Sequence, residues 1–236
     1  MNTFFRFPHT PHIAWLGMGM PRGDKLLSLK EIEELFSGEV IIEEKIDGAN
    51  IGFSLDEKGE IQVQNRGAYL EQPYRGQFSR LNGWLGQFGY LMKPNLTENL
   101  IVFGEWCAAR HSLQYTHLPD FFLLFDIYDK VEEKFWSVSR RNDWSQKIGI
   151  QTVPLIDLGH YSSDSLQNLL HTTTSTYREG RPEGIVIRKD DFLWNEARGK
   201  LVRSEFVQTI ETHWSSRQIE WNGLATLHTS NPNTQI

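Results

Sequence analysis

The sequence predicts an α+β domain of mostly antiparallel sheets flanked by helices, and three observations carry that expectation. Short β-branched and aromatic runs (VIIEEK, LIVFGEW, FFLLFDIYD, EGIVIR) recur from residue 40 onward. LIVFGEW and FFLLFDIYD show no clean polar alternation, as expected for strands covered on both faces. The 236 residues are 39% hydrophobic and 12% aromatic, enough for one sizeable core, and no repeat or low-complexity linker divides them.

In chain order, residues 1 to 27 mix Pro, Gly, His and aromatics without a period and read as an irregular packed segment. Ser28 then caps a helix, with Glu31 completing a capping box and Ile32, Leu35 and Phe36 on the apolar face; Gly38 ends it. VIIEEK is a strand. IGFSL opens a hairpin from about Ala49 to Asn65 that turns at DEKG. Phe78, Leu81, Leu85 and Phe88 recur at helical spacing, which predicts a helix over 76–92. After LIVFGEW and FFLLFDIYD, Ser139 caps a helix that stops at Gly149. TVPLIDLG is a strand, SSDSLQNLL a short helix, EGIVIR and KLVR the last strands, and SEFVQTIETHW a closing helix. Residues 215–236 form a polar tail, and residues 1–214 a single domain.

Composition excludes several classes. The single cysteine, Cys107, forbids an intramolecular disulfide and disfavours a cysteine zinc site. No run is long and apolar enough for a bilayer, and the N-terminus lacks the basic start and apolar run of a signal peptide, so a soluble cytoplasmic protein is expected. The formal net charge of -6 argues against a generic nucleic-acid coat, leaving recognition of a polyanion to a few placed cations. GMGMPRGDK is glycine-rich and ends in lysine, but its spacing does not fit G-x-x-x-x-G-K-[ST], and it reads as a loop.

The chemistry-bearing stretch is EEKIDGAN, residues 43 to 50. Taken alone, an Asp-Gly pair between two strand-like runs is also what a hairpin turn looks like. The polar residues downstream of it are less ordinary. Arg66 lies in QNRG, Glu105 in VFGEW, Phe125 and Asp126 in LLFDIYD, Glu183 at the head of EGIVIR and Lys200 at the head of KLVR. Polar or aromatic groups thus recur at strand ends along the sheet.

In that order, these motifs resemble the covalent nucleotidyltransferase superfamily of polynucleotide ligases and capping enzymes, and most closely ATP-dependent RNA ligases of the RNA ligase 2 type. FGEWCAARHSLQY, FFLLFDIYD, PEGIVIRK and KLVRSEFVQTIETHW carry the likeness, over roughly residues 40 to 214. The resemblance implies an ATP-grasp-like ligase domain. Because only about thirty residues come after KLVR, no OB-fold domain is expected. It implies that Lys45 is the nucleophile that forms lysyl-AMP, and that Asp47 and Gly48 shape the loop and orient the nucleotide. Asn50 would assist sealing. Glu44 would stand with the nucleotide-binding residues. Arg66 would meet the nucleotide and the 5′-phosphate, Glu105 the ribose, Phe125 the adenine and Lys200 the α-phosphate. Glu183 would serve the metal centre, with magnesium or manganese as the ion.

Free lysine, with a pKa of about 10.4, is protonated at neutral pH and unreactive. Desolvation, a neighbouring Lys200 and a divalent cation are expected to release its proton. Strand alternation turns Glu44 away from Lys45 and leaves Glu43 on its side. Where many relatives carry a second lysine, this chain has Val202, and the adjacent Arg203 is expected on the opposite face. His9, His12, Arg22 and Lys25 are candidates to supplement the phosphate contacts. The expected partner is RNA with 5′-phosphate and 3′-hydroxyl ends, with DNA-containing duplexes and a protein partner left open and no membrane. Nick sealing in DNA, RNA capping, AMP transfer to protein, and binding of nucleic-acid ends without catalysis are the alternatives.

Overall fold

The computed structural model describes residues 4–17, 26–207 and 218–225. The expectations for Arg22, Lys25 and most of the glycine-rich stretch lie outside these residues, as does the closing helix beyond residue 207.

Two antiparallel sheets organise the chain. One has the order β7-β1-β8-β9, built from β1 (Val40–Lys45), β7 (Leu155–Gly159), β8 (Gly184–Asp190) and β9 (Asn195–Val202). The other has the order β3-β2-β4-β5-β6, from β2 (Ala49–Leu55), β3 (Ile61–Asn65), β4 (Leu100–Trp106), β5 (Phe122–Asp129) and β6 (Lys134–Phe135). Both are open sheets; among the described residues there is no additional barrel domain. Nor is any described helix long and apolar enough to cross a membrane.

β2 and β3 form the expected hairpin, in register from Ile51↔Asn65 to Leu55↔Ile61. β1 and β2, in contrast, are not a hairpin. β1 fills both its edges with β7 and β8, while β2 pairs with β3 and β4. Residues 46–48 therefore carry the chain from one sheet into the other. Gly48 permits this: a Cβ there would sit 2.7 Å from the Trp106 carbonyl at the end of β4.

Helices cover the outer faces. α1 (Leu29–Leu35) begins with the Ser28/Glu31 capping box, and α4 (Ser163–Thr172) packs beside it. Leu35, Leu166 and Leu170 meet Ile42, Ile185 and Leu201 of the first sheet in one apolar cluster. α2 (Leu81–Met92), preceded by a 3₁₀ turn at Gly76–Phe78, and α3 (Val138–Ile148) cover the second sheet. Trp84, Met92, Trp144 and Ile148 supply their side of that core. α3 starts earlier than expected. Ser137, not Ser139, is its cap, accepting from the Arg140 amide, while the Val138 amide donates to Asp190. Gly149 ends it in the left-handed region at φ 72°. A last short helix, α5 (Ser204–Val207), comes after β9.

Both ends of the described chain pack on this frame. Phe5 stacks on Tyr128 at 3.8 Å, and Phe7 lies edge-on to Phe103 at 5.0 Å. Residues 218–225 belong to the stretch read from sequence as tail. They lie against the 107–118 loop through bridges Ala109↔Trp221 and Leu118↔Leu224.

Candidate active site

Where the chain passes from β1 to β2, the two sheets enclose a cleft of about 350 Å³. Lys45, the last residue of β1, faces Gly184 across the ladder, which brings Glu183 beside it. Lys45 Nζ lies 2.5 Å from Glu183 Oε2. Asn50 and Glu105 are direct partners across β2 and β4, and Lys200 pairs with Val186 across β9 and β8. Lys45, Gly48, Asn50, Arg66, Glu105, Phe125 and Lys200 all border the cleft. Residues spread over more than 150 positions thus converge on one volume.

Two of the sequence candidates are engaged elsewhere. Asp47 Oδ2 accepts from the Ser112 and Leu113 amides, both at 2.7 Å, and the Asp47 amide donates to the Tyr115 hydroxyl. Its carboxylate binds the 107–118 loop to the crossover rather than lining the cleft. Glu44 borders the cleft, but Ser175 Oγ and the Thr176 amide donate to its carboxylate at 2.6 and 2.8 Å. This is the side of β1 opposite Lys45, as alternation requires. Glu43, on the Lys45 side, is buried in an ion pair with Arg141 at 2.6 Å. Strand β1 is therefore pinned on both faces by buried carboxylates just ahead of the lysine.

The charge balance of the site is acidic around Lys45. Burial is the largest influence on the lysine and favours the neutral amine, but Glu183, Glu105 and Asp47 together outweigh it and raise its pKa. This differs from the lowered value expected from sequence, because the sequence does not show three carboxylates converging on one amine. Burial also raises Glu105, to about 8, against the pull of Lys45. Burial likewise raises Glu183, with Lys45 opposing and Asp47 adding to it. Carboxylates in such surroundings are hard oxygen donors short of positive charge. No group of three or more ligating side chains stands ready among the described residues. Magnesium fits that setting, since it needs one or two carboxylates and completes its octahedron with water and phosphate oxygens.

Beneath Phe125 lies a charge network that the sequence did not reveal. Asp126 pairs with Arg188 at 2.7 Å and also with Arg198. Arg141 donates to the Phe125 carbonyl at 2.7 Å. Arg188 and Arg198 border the cleft, and Arg198 lies over the Phe135 ring at 4.0 Å. Burial works to lower Arg188, but Asp126, Asp190 and Glu43 override it and raise its pKa. The only sequence signal was an arginine, Arg188, directly after the apolar run of β8.

Val202 is buried in β9, and Arg203 is turned away from the cleft. Arg203 donates to the Leu170 carbonyl at 3.0 Å and pairs with Glu205. His12 is buried against Trp15, a packing role, while His9 is exposed. Asn222 is a second residue without a sequence signal. It is buried, accepts from the Tyr115 amide and donates to the Cys107 carbonyl, both at 2.9 Å, so it holds the loop that Asp47 grips.

Residues 38–202 match the family model described as RNA ligase. Among solved structures, a point mutant of Naegleria gruberi RNA ligase with ATP and Mn is similar at TM-score 0.60 and 16% identity, covering 88% of this chain and 58% of that one. The same ligase with PPi is similar at TM-score 0.58 and 18% identity, over 85% and 62% of the two chains. Another mutant with AMP and Mn gives 0.56 and 16%, over 87% and 64%. At such identities the likeness is one of fold, and the chain spans less than two thirds of those structures. No curated protein matches the sequence significantly.

Proposed function

The chain belongs to the RNA ligase family, and from that premise we propose that it is an ATP-dependent enzyme joining RNA 3′-hydroxyl and 5′-phosphate ends through lysyl-AMP and RNA-adenylate intermediates. Such sealing is what RNA repair in the cytoplasm requires. The observation that carries this reading is the position of Lys45. Its amine stands in a cleft of nucleotide size, with Arg66 and Lys200 approaching from opposite sheets and an aromatic ring, Phe125, at one side.

In this reading adenine lies on the Phe125 ring, the ribose meets Glu105, and the phosphates run toward Arg66 and Lys200. The proton on Lys45 Nζ, held in its hydrogen bond to Glu183 Oε2, leaves to water once that carboxylate is engaged elsewhere. The freed lone pair attacks the α-phosphorus, and the bond to pyrophosphate breaks. An RNA 5′-phosphate then displaces the lysine from AMP, and a 3′-hydroxyl displaces AMP to close the strand. Asn50, beside Glu105, assists that last step. A magnesium ion held by Glu183 with water and phosphate oxygens would supply neutralisation of the charge on the α-phosphate.

Incubation with α-labelled ATP and magnesium is expected to label the protein, and Lys45→Ala is expected to stay dark. Label from GTP but not ATP would point to capping, and a labelled protein that seals DNA but not RNA ends would point to a DNA ligase. An unlabelled wild-type protein would overturn the proposal.

A further inference from the structure

Residues 6–13 touch both sheets. Arg6 Nε donates to the Arg66 carbonyl at 3.0 Å, at the end of β3. Phe7 lies edge-on to Phe125 at 5.1 Å. Further along, the Lys200 amide donates to the Pro11 carbonyl and the Ile13 amide donates to the Lys200 carbonyl, both at 2.9 Å. Both backbone groups of Lys200 are thus held by this one segment. The cationic positions contributed by the two sheets, Arg66 and Lys200, are tied to each other through it.

Phe7 and Thr10 border the cleft from this segment. Three extended residues span roughly 10 Å, so the segment runs from the aromatic side of the cleft to its Lys200 side. Thr10 directly precedes the residue bonded to Lys200. It is half-buried, and no other described residue hydrogen-bonds to its side chain. With Val202 offering no polar group, Thr10 adds a neutral donor to a cleft wall that also carries Lys200. A phosphate oxygen is the acceptor chemistry it suits.

Resting on the reading of the cleft as a nucleoside triphosphate site, we propose that residues 6–13 form a phosphate-binding strap. Thr10 Oγ1 donates to a phosphate oxygen of the bound nucleotide beside Lys200. Arg6 is a positioning residue that fixes Arg66 through its carbonyl.

The test measures lysine adenylylation against ATP concentration in the full chain, with melting temperature recorded for every variant. Thr10→Val keeps the shape and loses the donor. It is expected to raise the half-saturating ATP concentration by about tenfold, the value of one hydrogen bond to a charged group, with little change in the limiting rate. Thr10→Ser is expected to stay within about twofold of wild type, because the donor is retained. Arg6→Ala is expected to raise the half-saturating concentration by about threefold. If Thr10→Val is indistinguishable from wild type, or lowers only the limiting rate, the strap proposal fails. It fails too if the Val and Ser variants lose ATP binding equally alongside a drop in melting temperature, since packing then explains both. A wild-type protein that takes no label overturns the nucleotide reading itself, and the strap with it.

Discussion

Lys45 Nζ rests 2.5 Å from Glu183 Oε2, although the two residues are 138 positions apart. Burial works to lower the pKa of this amine, and the Glu183 charge and hydrogen bond work against it.

Replacing Glu183 by Gln removes the nearest of the charges that raise the Lys45 pKa. Lys45 is then expected to titrate lower than in the wild type. Mass spectrometry of the Lys45 peptide after an amine-reactive label, across a pH series, reads this directly. An unchanged profile would show that Glu183 is not what holds the proton.

Glu105 gives a pH dependence of stability. Its folded pKa, raised to about 8 by burial, exceeds the unfolded value of 4.5. Between those values the folded chain keeps a proton that the unfolded chain has released. The associated stability is full below the unfolded value and is lost as pH rises through the folded one. The protein is expected to be less stable at pH 8.5 than at pH 5, by roughly a few kcal/mol at about 1.4 kcal/mol per unit, which urea unfolding at the two pH values reads. Glu105→Gln is expected to flatten that slope.

Two ion pairs of equal length separate burial from distance. Arg188–Asp126 and Lys93–Glu60 both measure 2.7 Å, but the first is buried and the second is exposed. Asp126→Ala strands Arg188 and Arg198, and about 3–5 kcal/mol of stability should be lost in urea unfolding. Glu60→Ala should cost at most about 1 kcal/mol. Equal losses would mean that the Asp126 network is wet.

Asp47 predicts a local effect. In Asp47→Ala the Ser112 and Leu113 amides lose their charged acceptor, a loss of about 1.5–3 kcal/mol. Hydrogen exchange at those two amides should speed up, while exchange in β4 and β8 stays slow. Adenylylation should fall with it, because the crossover beside Lys45 loosens.

Most strands and several helix ends were legible in the sequence because their signals are local, although α1 ends at Phe36 rather than Gly38 and β9 begins at Asn195 rather than Lys200. Ser28 with Glu31 is a complete cap within four residues, and Gly149 stops α3 where its left-handed φ is needed. Ser137 and Ser139 are equivalent by composition, and Ser137 is singled out by distant partners: its hydroxyl donates to the Phe192 carbonyl, and the Val138 amide beside it meets Asp190. The same limit applied at the crossover. An Asp-Gly pair between two strands does not reveal that β7 and β8 take the edges of β1. The cleft residues were found through ordered motifs. The Asp126 network and Asn222 were not, because a buried arginine or asparagine is recognised by its partner and not by its neighbours in sequence.

The segment that matches the family, residues 38–202, is not the smallest piece that should behave as a protein. Trimmed to those limits, the polypeptide would lose Pro11 and Ile13 from the backbone of Lys200 and Asn222 from the loop held by Asp47. Such a fragment would keep Lys45, Arg66, Glu105, Phe125, Glu183 and Lys200 and still be expected to adenylylate poorly. For anyone shortening or tagging this chain, the useful ends lie before Phe4 and after Ala225.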